Sequence, residues 1–594
     1  MKERTAVIVG LYLPGIYPRG EDDVVADLLA PAYMKTVVDQ DPVLSFRYDV
    51  HVLNLPTTTS PEGVVEEICR HNPYVVAFSV YIWNFELMHQ ATILLRKRSP
   101  SIKIVWGGPE VSYNAQDIMK INPDVDIIVC GSGEQKFLRL LNTNFTTSEV
   151  SQIPSVAYRD SDGVTHQVPG NIADDLTKIP SPFQAKTINL DDGRRHSVYL
   201  ETYRGCIFQC GYCMWMGDKK KEIVLFPLEQ ILKDIDIIYN HPAVAAVIFT
   251  DACIFYRRER AKIICDRIAA CSRTIDTTLT LDIAFMDEEA IEALHKIKFE
   301  KHQGFHFGMQ SANQETLRLM NRKIGPELIS KRIKMIKELE PNAEISFDLI
   351  YGLPGDTHET FRDTVNFALH LSPQKLNMSP LVLLPGSPYW VNRVEHGFIY
   401  DPYPPYLIHS NRTYCAADMK KTRRFVLGML MVLYFSAIRD ALYQISERHP
   451  HLRRVDLFEE FISRFEKQTD LILDITNIRD QDQYSPQEVN YIRRNIMNKV
   501  SEPQNGLFAY EIILEMANEY SVEETFKKEI KLGYEYYKAL AFSHDYEEQS
   551  YIESSYLDRH GKAQFENIKF NWVSAKPVGI PKESRTQGVA IACG

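Results

Sequence analysis

Residues 201–214 read Glu201-Thr-Tyr-Arg-Gly-Cys-Ile-Phe-Gln-Cys-Gly-Tyr-Cys-Met214, which sets Cys206, Cys210 and Cys213 at CxxxCxxC spacing. A structural zinc site normally closes its shell with four protein ligands. An iron–sulfur cluster held by three thiolates instead keeps one iron open to a small molecule. The three thiols therefore point to an iron–sulfur centre whose free site does chemistry. Gly205 and Gly211 supply turn chemistry beside the ligands. The other seven cysteines (Cys69, Cys130, Cys253, Cys265, Cys271, Cys415 and Cys593) are scattered without a paired framework, so disulfides are not expected and a reducing compartment is.

The strand His196-Ser-Val-Tyr-Leu200 precedes this loop, and strand and helix alternation continues to about residue 392 in the manner of a partial (β/α) barrel. Active sites on such barrels gather at the carboxyl ends of the strands. The residues expected there are Thr250 and Asp251 after Ala246-Val-Ile-Phe249, and Gln310 and Ser311 after Gly304-Phe-His-Phe-Gly-Met309. Gly352 and Pro354 follow in the Gly-x-Pro-Gly turn after Ile345-Ser-Phe-Asp-Leu-Ile-Tyr351, and Leu381-Val-Leu-Leu-Pro-Gly-Ser-Pro388 is expected to be the last strand and its turn.

Toward the amino terminus, five short apolar runs alternate with helical stretches: Ala6-Val-Ile-Val-Gly10, Tyr48-Asp-Val-His-Val-Leu53, Val75-Val-Ala-Phe-Ser-Val80, Lys103-Ile-Val-Trp106 and Asp126-Ile-Ile-Val129. That pattern predicts an α/β, flavodoxin-like, doubly wound domain over residues 1–148. Ligands in such sheets bind at the carboxyl ends of the strands, which singles out Leu13, Tyr81, Trp83, Asn84, Gly107, Gly108, Glu110, Gly131, Gly133 and Glu134. His51 lies on a strand and reads as a structural histidine. Residues 149–195, with Pro154, Pro169, Pro180 and Pro182, read as a connector holding a small hairpin.

Residues 393–594 are expected to be mostly helical, substrate-specific, and free of metal spacing. Aromatic clusters at Tyr400-Asp-Pro-Tyr-Pro-Pro-Tyr406 and Tyr534-Glu-Tyr-Tyr537 read as packing, and residues 588–594 as a frayed tail. The longest apolar stretch, residues 425–438, falls short of the roughly 20 residues of a membrane span and reads as a buried helix. No secretory signal is expected, because the run from Ala6 is short and no small-residue cleavage site follows it. A net charge of −11 offers no broad basic face for nucleic acid; Lys420-Lys-Thr-Arg-Arg424 is a local basic patch.

The CxxxCxxC segment, with aromatic Tyr212 before its third cysteine and the later motifs in order, resembles the radical S-adenosylmethionine (radical SAM) enzymes. The preceding domain, above all Ser79-Val-Tyr-Ile-Trp-Asn84 and Gly107-Gly-Pro-Glu110, resembles the cobalamin-binding domain of their cobalamin-dependent subgroup. The resemblance implies three cofactors: a 4Fe-4S cluster on Cys206, Cys210 and Cys213, S-adenosyl-L-methionine (SAM), and cobalamin. SAM would lie among Tyr212, Thr250, Asp251, Asp282, Gln310, Ser311, Gly352 and Pro354, with Tyr212 near the adenine. Cobalamin would lie on the ten residues of the first domain, with Tyr81 or Trp83 covering cobalt.

Two departures stand out. The loop Leu11-Tyr-Leu-Pro-Gly-Ile-Tyr-Pro-Arg-Gly20 lacks the Asp-x-His-x-x-Gly motif, which implies cobalamin without a histidine from that source, and Thr250-Asp251 stands where the family often has Gly-Gly-Glu. The implied activity is methyl transfer from SAM through methylcobalamin to a carbon activated by a 5′-deoxyadenosyl radical. Radical rearrangement, cyclisation or oxidation without methyl transfer is the alternative, and a non-enzymatic cobalamin sensor, which would not need the cysteine triad, is a third. The implied partners are a small-molecule or peptide substrate and an electron donor such as flavodoxin or ferredoxin, in the cytoplasm.

Overall fold

The computed structural model describes residues 2–12, 24–170, 175–215, 223–297, 304–469, 500, 502–543, 546–560 and 564. The strands, in chain order, are β1 (Arg4–Tyr12), β2 (Val24–Asp27), β3 (Tyr48–Pro56), β4 (Val75–Ser79), β5 (Lys103–Gly107), β6 (Ile127–Val129), β7 (Val156–Arg159), β8 (Thr165–Gln167) and β9 (Arg195–Leu200). They continue with β10 (Tyr203–Arg204), β11 (Val224–Leu225), β12 (Val244–Phe249), β13 (Asp276–Thr278), β14 (Phe305–Gln310), β15 (Ile345–Tyr351), β16 (Lys375–Pro380), β17 (Ile399–Tyr400) and β18 (Ile408–Ser410).

Alternate residues of a strand face opposite ways, and in the first sheet both faces are apolar. Val7, Val9, Val76, Phe78, Ile104 and Trp106 pack with Val64, Ile68, Met88 and Leu95 of the helices Pro61–Cys69 and Phe85–Arg98. Ala6, Ile8, Val50, Val75, Val105 and Ile127 pack on the other side with Val37, Val38, Phe137 and Leu140 of the helices Leu29–Gln40 and Glu134–Leu141. A sheet covered twice is the setting that parallel strands require. Its order is β3-β1-β4-β5-β6-β7-β8, with β3, β1, β4, β5 and β6 parallel. This is the flavodoxin-like order, whose crevice opens where the strand order reverses beside β1.

The expected domain boundaries need two corrections. The hairpin β7-β8 is not a free connector: it adds antiparallel to β6 and extends the first sheet to Gln167. In the other direction, β2 leaves the first domain and pairs parallel with β9, Ala26 beside Ser197. Asp27 Oδ2 lies 2.7 Å from Nδ1 of buried His196, whose Nε2 is 3.0 Å from Asp192. Four residues give too short a pattern to reveal a partner so distant in sequence.

The barrel consists of two parallel groups, β13-β12-β9-β2 and β14-β15-β16. Its last strand is Lys375–Pro380, not the more apolar run at residues 381–384, which forms only an isolated bridge between Val382 and Leu407. Phe305, Phe307, Ile345, Phe347, Leu376 and Met378 turn outward into one core shared with Phe425, Met429 and Leu433 of the helix Ala416–Leu433. The C-terminal region thus begins with the short hairpin β17-β18, and its helices continue the barrel core across the expected boundary at residue 392. The apolar stretch at 425–438 is buried there and crosses a break between the helices Ala416–Leu433 and Ser436–Arg448. No helix among the described residues is long and apolar enough to cross a membrane.

Candidate active site

The cysteine loop follows β9, and a carboxylate from the next strand fixes its start. Asp251 accepts from Thr202 N at 2.8 Å, Thr202 Oγ1 at 2.6 Å and Tyr203 N at 3.3 Å. Burial pushes this carboxyl up to about 7 against the hydrogen bonds from Thr202. Asp251 is therefore spent on holding the loop, and Thr250 Oγ1 reaches only Leu200 O, at 3.4 Å.

Each thiol has a donor aimed at it. Phe208 N lies 3.4 Å from Cys206 Sγ, Trp215 N lies 3.4 Å from Cys213 Sγ, and Arg322 Nη1 lies 3.9 Å from Cys210 Sγ. Donors of this kind stabilise thiolate sulfur, which is what a cluster ligand becomes. Burial, helped by the neighbouring Cys210 and Cys206, pushes the Cys213 thiol up to about 11 against the bond from Trp215 N, so deprotonation is left to the metal. Among the described residues no three of His, Cys, Asp and Glu could hold a single metal ion. A 4Fe-4S cube asks for less, since each thiolate binds a different iron, and the donor set fits it.

Arg322 is the main residue the sequence reading missed. It lies just beyond the helix Gln314–Leu319, donates through Nη2 to Gly308 O, and comes within 4.0 Å of Asp282 Oδ2. Asp282 is thereby placed beside the cluster loop, with Oδ1 capping Ala284 N at 2.9 Å. Gln310 has a left-handed backbone (φ 68°), and its buried Oε1 has no partner among the described residues. Ser311 turns away and ties Asn313 N and Asp356. In the Gly-x-Pro-Gly turn, Gly352 (φ 84°) backs on Met419 and its carbonyl accepts from Asn411, while Pro354 is buried. Tyr389, also missed, packs against Gly211 with its buried hydroxyl unpartnered among the described residues.

The lumen face of the second strand group is polar. His306 Nδ1 lies 2.8 Å from Ser346 Oγ, His306 Nε2 lies 2.7 Å from Asp348 Oδ2, and Asn377 donates to Asp348 Oδ1 at 2.9 Å. His306 stands four residues before Gln310 on β14, and Asp348 pairs with Gly308, so this row lies just below the cluster end of the barrel.

In the first domain, Trp83 is 49% exposed and stacks on Tyr81 with centroids 4.4 Å apart. Asn84 is buried and braces the loop: its Oδ1 accepts from Tyr81 N at 2.7 Å, and its Nδ2 donates to Ser79 O at 3.0 Å. A Cβ at Gly107 would make ordinary contact with Val129 O at 3.7 Å, whereas Gly108 (φ 116°) sits against Val80 O and Gly133 against Met34. Gly131 takes φ 70°. Glu110 accepts from Tyr406 and Glu134 from Arg204, so both carboxylates face other parts of this protein. Asn54, at the carboxyl end of β3, has a buried Oδ1 unpartnered among the described residues and was not foreseen. His51 is 3.0 Å from Asp49, as a structural histidine should be. Leu13, Cys593 and the tail at 588–594 lie outside the described residues.

The loops of the two domains meet. Ile82 and Tyr212 pack on the same buried group as Leu353, Leu383, Tyr389 and Tyr406. The loop behind β4 and the three-thiol loop behind β9 thus share one apolar wall.

The family comparisons agree with this geometry. The profile of the Radical SAM superfamily matches residues 200–368, and that of the B12 binding domain matches residues 43–141. The chain thus carries a B12 binding domain followed by a radical SAM domain, the order that defines the cobalamin-dependent radical SAM class, to which it is similar. Among its relatives is 2-(S-pantetheinyl)-carbapenam-3-carboxylate methyltransferase of Streptantibioticus cattleyicolor, 26% identical over 61% of this chain and 54% of the relative. Cobalamin-dependent radical SAM methyltransferase TokK of Streptomyces tokunonensis is also 26% identical, over the same shares. The chain thus spans about half the length of these curated relatives. The fold is shared with OxsB, a cobalamin-dependent SAM radical enzyme solved with aqua-cobalamin and SAM, at TM-score 0.57 and 13% identity over 94% of this chain and 84% of OxsB. Radical SAM domains take SAM and a 4Fe-4S cluster, and B12 domains take cobalamin, so these are the cofactors of the chain.

Proposed function

We propose that this protein is a methyltransferase that moves a methyl group from SAM, by way of cobalamin, to a carbon of a polar small-molecule or peptide substrate. The observation that carries the proposal is the shared wall, on which Ile82 of the cobalamin loop and Tyr212 of the cysteine loop pack together. When bound, the cluster and SAM supply a 5′-deoxyadenosyl radical and cobalamin carries the methyl group.

The chain's own residues do the placing. Cys206, Cys210 and Cys213 hold the cluster, and Arg322 orients Cys210 while filling the space below it. Gln310 Oε1 accepts a hydrogen bond from SAM, and the Tyr389 hydroxyl supplies a second polar contact; both need a partner where they lie buried. Tyr212 lines the adenine side, and Asp282 lies within reach beside Arg322. Tyr81 and Trp83 would hold the corrin through their ring faces, with the backbones of Gly107 and Gly131 beside them. Leu353, Leu383 and Tyr406 keep water from the reacting carbon. The row of His306, Asp348 and Asn377 receives the polar groups of the substrate. A flavodoxin- or ferredoxin-type electron donor and a cytoplasmic, reducing setting go with this reading.

The test is anaerobic reconstitution with iron, sulfide and cobalamin, followed by SAM, a low-potential reductant and candidate substrates. Formation of 5′-deoxyadenosine together with S-adenosylhomocysteine supports methyl transfer. Deoxyadenosine alone replaces it with rearrangement, cyclisation or oxidation, and neither product, with Cys206→Ala behaving identically, overturns the radical reading.

A further inference from the structure

Two residues outside the ligand set connect the cofactor loops to each other. Glu134 opens the helix Glu134–Leu141 directly behind Gly131 and Gly133, on the loop after β6. Arg204 stands two residues before Cys206. Arg204 Nη2 donates to Glu134 Oε1 at 2.6 Å, and its Nε reaches the two oxygens of Glu201 at 3.1 and 3.0 Å. Glu134 is 4% exposed, and the guanidinium lies 5.6 Å from the ring centres of both Tyr33 and Phe226. Glu134 is out of water and the Arg204 side chain is only 18% exposed, so moving one loop away from the other would leave the buried carboxylate short of its partner. Tyr406 with Glu110 and Tyr113 against Gly386 also join the domains, from the segment after the barrel, and Ile82 and Tyr212 meet through apolar packing rather than through charge.

We infer that Arg204 and Glu134 are positioning residues that couple the two cofactor sites: assembly of the cluster strengthens cobalamin binding, and cobalamin strengthens cluster binding by the same factor. The inference rests on the cofactor assignment above, which iron, sulfide and cobalamin contents test separately. A cofactor that orders one loop fixes one end of the ion pair. The second loop then docks on a partner already in place and loses less freedom when its own cofactor orders it. Linkage makes the effect equal in both directions.

Hydroxocobalamin titrations of the full-length protein, with and without reconstituted cluster, measure the factor. We expect cluster assembly to tighten cobalamin binding about tenfold, within the range of such couplings. Glu134→Ala should reduce the factor to about one, while iron content and the electron paramagnetic resonance signal of the cluster remain. Glu134→Gln, which keeps an acceptor without the charge, should give an intermediate factor. Thr36→Val removes the 2.8 Å hydrogen bond from Thr36 Oγ1 to Thr187 Oγ1, which ties the first domain to the stretch before the barrel away from both cofactor loops, and should leave the factor as it is. Absence of coupling in the intact protein, a full factor in Glu134→Ala, or an equal loss in Thr36→Val overturns the inference. If Glu134→Ala does not fold, Glu134→Gln decides alone: an undiminished factor overturns it and a reduced one supports it.

Discussion

The candidate residues behind the first sheet and those behind the barrel put their polar atoms to different uses. Behind β4, β5 and β6, Asn84, Glu110 and Glu134 all bond to the protein itself, and what the candidates there leave for a ligand is the ring pair Tyr81 and Trp83 with uncrowded backbone at Gly107, Asn54 Oδ1 behind β3 being the polar exception. At the barrel, Asp251 and Ser311 are likewise spent, yet Gln310 Oε1, Ser197 Oγ, the Tyr389 hydroxyl and Arg322 Nε are buried without partners among the described residues. Each such atom costs about 1–3 kcal/mol if nothing meets it. The difference follows from the ligands. A corrin offers a broad face that rings and backbone can cover, whereas SAM carries an ammonium, a carboxylate and ribose hydroxyls that side chains must answer.

The strongest way to break the comparison is to remove a cluster ligand. Cys206→Ala should abolish the cluster's absorbance and paramagnetic signal and bring SAM cleavage to background, while cobalamin still binds with the affinity of cluster-free protein. Loss of both cofactors together would mean that the two sets of loops are one site. Arg322→Met comes next. It leaves Gly308 O and Asp282 without the guanidinium and should cost about 3 kcal/mol of unfolding free energy, the upper end for a hydrogen bond to a charged group. Urea melts measure this. A shifted cluster signal in Arg322→Lys, which keeps the charge but not the fork, separates tuning of Cys210 from packing.

Much of this was legible in the sequence, for physical reasons. The runs that became β1, β4, β5 and β6 are apolar on both faces, and such runs have few alternatives to a covered parallel strand. The cysteine spacing needed no structure at all. What failed was whatever depends on a distant partner. Val24–Asp27 becomes a strand only because Arg195–Leu200 lies beside it. Lys375–Pro380 alternates polar and apolar because one side faces the lumen, so the more hydrophobic run after it looked more like a strand. Arg322 sits in no motif, and the row of His306, Asp348 and Asn377 exists only once three strands are in register. Glu110 and Glu134 were placed correctly at strand ends, but their partners Tyr406 and Arg204 lie in other parts of the chain.

Glu110 gives a smaller effect with a definite sign. Burial raises its carboxyl from 4.5 to about 7 against the bond from Tyr406. Between those values the folded protein keeps a proton that the unfolded chain releases, so the contribution is full below about pH 4.5 and is lost as pH rises through about 7. The span corresponds to at most about 3 kcal/mol. Glu110→Gln should therefore match the parent near pH 5 and exceed it at pH 8 by about 1–3 kcal/mol in urea melts. A variant weaker than the parent at pH 8 would show that the ionised carboxylate is what Tyr406 holds.

The smallest effect bears most directly on what the first domain offers its ligand. Trp83 is half exposed and touches chiefly Tyr81, so Trp83→Ala removes one stacked pair worth about 0.5–1.5 kcal/mol. If that ring face is turned to the corrin, cobalamin affinity should fall by roughly fivefold, the equivalent of about 1 kcal/mol, and the melting curve of the cofactor-free protein should barely move. The reverse outcome, an unchanged affinity with a destabilised fold, would make Trp83 a packing residue. The first domain would then have to hold cobalamin through backbone and through Asn54, whose buried Oδ1 is the unpartnered polar atom at the carboxyl end of β3. The contrast with the barrel would narrow to one of number rather than kind.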